Sequence, residues 1–119
     1  MKLAITSTGM TLDDPMDPRF GRAAYILLVA VDSLAVEAID NSENVRAFEG
    51  AGIQAATTIS DRGAEVLLTG YCGPKAFKVL AAADIKVVND VSGTARQAVA
   101  DFMAGKFTYS DGANADAHW

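Results

Sequence analysis

The sequence predicts one α/β domain: a five-stranded mixed sheet flanked by helices, in the order βββαβαβα. Three observations carry that prediction. The first 40 residues hold three apolar runs separated by polar stretches rich in turn residues. From residue 51 onward, helically spaced segments alternate with short continuous apolar runs, the pattern of βαβ crossovers. The chain has 119 residues, half of them hydrophobic, which suits a single modest core. There is no internal repeat and no domain boundary.

Taken in order, Lys2 to Ser7 reads as the first strand. The stretch Ser7 to Arg22 follows, where Gly9, Pro15, Pro18 and Gly21 forbid a long regular element. Such a long loop in a small domain is more often functional than accidental, and it is expected to be mobile. Ala24 to Val31 is an uninterrupted apolar run, a strand covered on both faces and far too short to span a bilayer. After the break at Asp32-Ser33, Leu34 to Ile39 carries Glu37 and reads as a hairpin partner nearer the sheet edge. Asn41 to Gly50 reads as a second polar loop.

Ile53, Ala56 and Ile59 give Ala51 to Arg62 a helical period. Glu65 to Thr69 is a short strand centred on Val66-Leu67-Leu68. Pro74 stands where a proline fits the first turn of a helix, whose buried face is Phe77, Leu80 and Ala81. Ile85 to Val88 is the last strand. Thr94-Ala95-Arg96-Gln97 is a capping box, and Ala95, Ala98, Val99, Phe102 and Met103 follow as the apolar stripe of a helix that Gly105 ends. The domain therefore spans residues 1–107. Residues 108–119 are small and polar without periodicity, and are expected to form a disordered tail that contributes nothing to packing.

Parallel crossovers are right-handed, and ligands of such sheets sit outside the carboxyl ends of the parallel strands. Those ends are Ser7 to Met10, Gly70 to Gly73 and Asn89 to Gly93.

Composition narrows the function. The net charge is −5 and no run of Lys or Arg exists, which argues against nucleic acid as a partner. The N-terminus lacks the charged leader, apolar segment and cleavage site of a signal peptide, so cytoplasmic residence is the expectation, with no membrane contact. Cys72 is the only cysteine, so no internal disulfide can form.

Several segments could carry chemistry. Gly70-Tyr71-Cys72-Gly73-Pro74-Lys75 runs from a strand end into a helix start, where exposed N–H groups attract anions and glycines admit close approach. A plain βα turn reads the same way, and the spacing is not that of a P-loop. Asp17-Pro18-Arg19-Phe20-Gly21-Arg22 sets two guanidinium groups beside an aromatic ring, suited to a delocalised anion. Alternatively, Arg22 pairs with Asp13, Asp14 or Asp17 on the surface. Met10 and Met16 could offer soft thioethers to a polarizable ligand, or fold back onto the core. Cys72 could be a thiolate at the helix terminus; a buried structural thiol is the blander alternative. The sole histidine, His118, lies in the tail, so a Cys–His catalytic pair has no sequence support. Iron–sulfur and zinc sites fail for want of Cys and His ligands, and Asp13, Asp14 and Asp17 do not match a calcium loop.

The chain resembles the dinitrogenase iron–molybdenum cofactor-binding family over about Lys2 to Phe107. The resemblance rests on Phe20-Gly21-Arg22-Ala23 followed by the apolar strand, on Asn41, on Gly50-Ala51-Gly52-Ile53-Gln54-Ala55 opening a helix, on Gly70 with Gly73-Pro74, and on Gly93-Thr94. It implies a ribonuclease-H-like fold. It also implies non-covalent binding, carriage or scaffolding of an anionic metal–sulfur cluster. For a short single-domain member with methionines in its first loop, that cluster is a molybdenum–copper sulfide or a related molybdenum cofactor precursor. No nucleotide cofactor and no enzymatic activity are implied, and protein partners would serve cluster assembly or delivery. A cluster that brings its own sulfide needs cations, N–H donors and soft contacts, not four cysteines. The candidates are Ser7, Met10, Met16, Arg19, Phe20, Gly21, Arg22, Gly70, Cys72, Gly73 and Lys75. No histidine lies inside the domain to ligate the nitrogenase cofactor directly. Two competing expectations are a protein-interaction module with an empty pocket and a nuclease. The nuclease reading is weakened because Leu3-Ala4-Ile5-Thr6-Ser7 offers no carboxylate for paired metals.

Overall fold

The computed structural model describes residues 1–45 and 50–114. Five strands, β1 (Lys2–Ser7), β2 (Tyr25–Ala30), β3 (Val36–Asp40), β4 (Val66–Leu68) and β5 (Lys86–Val88), form one sheet in the order β3-β2-β1-β4-β5. The first three are an antiparallel meander; β4 and β5 join β1 in parallel. The helices are α1 (Ser42–Val45), α2 (Ala51–Asp61), α3 (Pro74–Ala82) and α4 (Ala95–Met103). The mixed, helix-flanked, ribonuclease-H-like sheet is the one the sequence predicts. The single turn of α1 is an addition within the stretch read as a polar loop.

The period of two along the strands divides the core into two layers. Ala4, Ile26, Leu28, Leu67 and Val87 face α2 and α3, where they meet Ala55, Ile59, Ala76 and Leu80. Leu3, Ile5, Leu27, Val29, Val66, Leu68 and Val88 face α4, where they meet Ala95, Ala98 and Val99. This is why β2 reads as a continuous apolar run: both of its faces are covered. Because β1, β4 and β5 run in parallel, their carboxyl ends open on one rim. The starts of α2, α3 and α4 follow from the same edge. Among the described residues no helix is long and apolar enough to cross a membrane.

The tail requires a correction. Residues 108–114 do not lie free. The Ser110 N–H donates to the Val87 carbonyl at 2.7 Å, and Ser110 Oγ accepts from the Asn89 N–H at 3.0 Å. Asn89 Nδ2 donates to the Gly112 carbonyl, and Asn114 reaches the turn before α3. The segment thus covers the outer edge of β5. Its contacts are made by backbone and short polar side chains, which leave no hydrophobic period in the sequence. Residues 115–119 of the expected tail, His118 included, lie outside the described residues.

Candidate functional site

The long loop after β1 is tied down rather than loose. Ser7 pairs with Met16 and Pro15 with Thr94, each in an antiparallel bridge, and Arg19 pairs with Tyr71 in a parallel one. The Thr8 and Asp17 amides donate to the Pro15 and Thr6 carbonyls, and the Met16 amide donates to Gly93. Beneath this return, two fully buried hydroxyls meet: Thr6 Oγ1 donates to the Asp17 carbonyl at 2.6 Å and lies 3.0 Å from Thr69 Oγ1. The buried Asp17 carboxylate accepts from the Arg19 and Ala24 amides, so it is spent on shaping the loop. This bonding replaces the mobility expected from the Gly/Pro content.

The loop then reaches the helix starts. Phe20 N–H donates to the Tyr71 carbonyl at 2.9 Å, and Tyr71 N–H donates to Pro18 at 2.6 Å. The chain turns at Gly21, whose φ of 79° is left-handed and costly for other residues. A Cβ there would stand 2.7 Å from the Gly52 nitrogen, inside the first turn of α2. A Cβ on Gly52 would in turn stand 2.9 Å from Ala76 Cβ, inside the first turn of α3. A Cβ on Gly70 would strike Pro18 at 2.6 Å. Glycines at 21, 52 and 70 therefore draw three parts together: the Pro18–Arg22 loop, the start of α2 and the start of α3. Asn41 holds the arrangement from behind, its Nδ2 donating to the Gly21 and Ala23 carbonyls at 2.9 and 2.8 Å.

Neither of these two helices carries a side-chain cap; their N-cap residues are Gly50 and Gly73. Amide dipoles at both starts point their positive ends at the same corner. α4 differs, because Thr94 Oγ1 accepts from the Gln97 amide at 3.1 Å. The corner thus offers backbone donors beside Arg19, Arg22 and Lys75.

The sequence-predicted residues divide into two groups. Gly21, Arg22, Gly70, Gly73 and Lys75 lie at or beside the paired helix starts, with exposed Arg19 at the loop edge. Of the nearby acids, Asp13 pairs with Arg96, Asp14 accepts from Thr11, and Asp17 lies 3.8 Å from Arg19 Nε. The second group is built into the protein. Met16 is buried against the α4-side core, and Phe20 is buried against α2 and α3. Ser7 Oγ accepts from the Gly9 amide. Met10 belongs to neither group: it is 57% exposed, in the part of the loop that precedes Met16. Cys72 is 1% exposed and burial pushes its thiol up to about 12, which favours the buried structural thiol over a thiolate at the helix terminus. Tyr71, Asn41, Thr6 and Thr69 complete the site. Only hydroxyls set within apolar strands hinted at the last two.

Among the described residues no group of three or more His, Cys, Asp or Glu side chains is placed to hold a metal ion. The donors on this rim are amides and cations. They suit an anionic partner better than a bare metal ion.

A family model described as dinitrogenase iron–molybdenum cofactor matches residues 1–105, and the chain belongs to that family. Among solved structures it is similar to the apo form of the orange protein from Desulfovibrio gigas, at 47% identity over 96% of each chain, with a TM-score of 0.93. It is also similar to a protein from Thermotoga described as a putative NifB protein, at 30% identity over 91% of each chain and a TM-score of 0.79. A putative dinitrogenase from Methanocaldococcus jannaschii shares the fold, with a TM-score of 0.69 at 17% identity over 94% of this chain and 96% of that one. No curated protein matches. Family and relatives together point to binding of a metal cluster or cofactor.

Proposed function

We propose that this chain is a cytoplasmic, non-covalent carrier or scaffold of an anionic metal–sulfur cluster, a molybdenum–copper sulfide or a related molybdenum cofactor precursor, and that it is not an enzyme. One observation carries the reading. The uncapped starts of α2 and α3 meet at Gly52 and Ala76, with the Gly21–Arg22 turn against them. Two helix starts meet there, and Arg19, Arg22 and Lys75 stand on the adjoining loop and first turn in a chain of net charge −5. An anion is drawn to that corner by amide and guanidinium donors, while the metals keep their inorganic sulfide. The family and the similarity to the orange protein support the same reading. At Cys72 the reading of carriage is supported by a thiol that is buried and held in its neutral form.

An apolar groove of about 230 Å³ between Leu12, Leu34, Val99, Ala100 and Met103 favours a second, compatible reading, a surface for a protein partner in assembly or delivery. The test of the primary reading is reconstitution with tetrathiomolybdate and copper(I). A visible absorption band that stays with the protein through gel filtration, with molybdenum and copper in fixed ratio, is expected. A colourless, metal-free protein peak contradicts the proposal.

A further inference from the structure

The rim contains one contact that neither the family motifs nor the periodicity of the chain explains. Asn114 stands beyond the last helix, in the segment expected to be loose. Yet its carboxamide is fixed at both ends against the turn that leads into α3. Its Oδ1 accepts from the Cys72 N–H at 2.8 Å, and its Nδ2 donates to the Gly70 carbonyl at 2.9 Å. Its own N–H donates to the Cys72 carbonyl at 3.1 Å, and Nδ2 also lies 3.3 Å from Asp90 Oδ1.

This is the bonding pattern of a neighbouring strand. An extended segment offers the carbonyl of one residue and the N–H of the residue two further on along the same edge. β5 supplies such partners as far as Gly70, whose carbonyl accepts from the Asp90 amide at 2.9 Å. There β5 departs through Asp90, whose φ of 64° turns the chain away. One carboxamide then takes over the missing pairing, because it carries a donor and an acceptor on one short, planar group. Ionised aspartate has no donor, a hydrophobic side chain has neither, and serine carries both on a single oxygen that cannot span two partners. On the opposite edge the same turn is held by Pro18 and Phe20 through the Tyr71 amide and carbonyl. The turn is therefore gripped from two sides, once by the loop that carries the arginines and once by Asn114.

We propose that Asn114 is a positioning residue of the anion site: it locks the Gly70–Gly73 turn so that the first-turn amides of α3 are aimed at the cargo before it arrives. The inference rests on the anion-binding reading above and deepens it. Rigid donors bind more tightly than donors that must be ordered on binding. The cost of losing the clamp falls on affinity more than on fold, because Asn114 is exposed and its contacts are polar.

The experiment uses the full, 15N-labelled chain, tetrathiomolybdate as the probe, and the variants Asn114→Ala, Asn114→Asp and Arg22→Ala. Asn114→Ala is expected to speed amide exchange at Cys72, whose N–H loses its acceptor. It should weaken tetrathiomolybdate binding about tenfold, the size of one lost positioning hydrogen bond. Asn114→Asp retains the acceptor for Cys72 but loses the donor and adds a negative charge. It should keep Cys72 slow in exchange and bind the anion more weakly than Asn114→Ala at low salt, with the gap closing as salt rises. Unchanged exchange at Cys72 in Asn114→Ala overturns the clamp. So does wild-type affinity in a variant whose Cys72 amide has been released. If Arg22→Ala loses affinity and Asn114→Ala does not, the clamp fails while the site reading stands. If the wild-type protein does not take up the probe, both fall together.

Discussion

Three helices begin on the same rim, and they begin differently. α4 is closed by its own sequence: Thr94 caps it, with φ and ψ of −88° and 157°. Gly73 before α3 has nearly the same backbone, −75° and 165°, but no side chain to use. Gly50 before α2 is left-handed, at φ 80°. A capping serine, threonine or aspartate is worth about 1 kcal/mol over alanine and a few tenths of a kcal/mol over glycine. Two of the three helices forgo it, and they are the two whose first turns touch. α4, which starts beside Pro15 and Asp14 on the other face, does not. The contrast separates a helix end closed by its own side chain from two whose first-turn amides no side chain caps, the feature on which the proposed anion site rests.

The strongest way to break this contrast is at Gly21. A methyl group there meets left-handed strain and the Gly52 backbone together. Gly21→Ala is expected to cost about 3–4 kcal/mol, seen as a fall of roughly 10 °C or more in the thermal midpoint. A loss below about 1 kcal/mol would mean that the loop and α2 separate easily and that the corner is not rigid.

Arg22→Ala leaves the helix starts intact and removes a cation beside them. Cluster affinity measured by titration is expected to fall by about 1.5–3 kcal/mol, with a smaller loss at high salt. A loss indifferent to salt would point to packing instead of attraction.

Exchanging the caps sharpens the comparison further. Thr94→Ala should destabilise the protein by about 1 kcal/mol and leave cluster affinity unchanged. Gly73→Asp should do the reverse, adding a few tenths of a kcal/mol of stability while suppressing binding, because a carboxylate then occupies the place of the anion. Thermal melts and titrations on the two variants separate these outcomes. Equal effects of both on binding would erase the distinction between the closed end and the open ones.

The smallest effect at neutral pH belongs to Cys72. A free helix terminus lowers a neighbouring thiol, but here burial wins and the thiol rises from 9.0 to about 12. With the folded value raised, the contribution is complete below pH 9 and declines as pH climbs toward 12, where the unfolded chain has already released its proton. Cys72→Ser should therefore flatten the alkaline fall in stability and retain cluster binding within a few-fold. Loss of cluster colour in the folded variant would assign the thiol a direct role.

Much of this fold was legible because it is written in periods. β1, α2 and α4 follow the spacing of Leu3–Ile5, of Ala56–Ile59 and of Ala95–Ala98–Val99. The Thr94 cap follows from its hydroxyl and Gln97. What the spacing could not show was bonding between segments far apart in the chain. Met16 and Phe20 looked like loop residues because the return of the loop along Ser7 has no local signature, yet that return buries both. The contacts of Ser110, Gly112 and Asn114 depend on where β5 ends, which no pattern in a polar tail encodes. Deleting residues 108–119 is accordingly expected to lower the thermal midpoint by roughly 5 °C or more, read by calorimetry. The geometry of the proposed site was only partly legible. The glycines and arginines marked the corner, but only the touching first turns of α2 and α3 give it a second open helix.

The central claim is that an anionic cluster sits where those two starts meet, held by amides and cations. The most direct measurement is an amide-shift titration of the 15N-labelled chain with tetrathiomolybdate and copper(I). The account predicts the largest shifts at Gly21, Arg22, Gly52, Gly73, Lys75 and Ala76, around the two open helix starts. Shifts confined to the α4 face around Arg96, Val99 and Met103, with residues 19–22 and 70–76 silent, would contradict it.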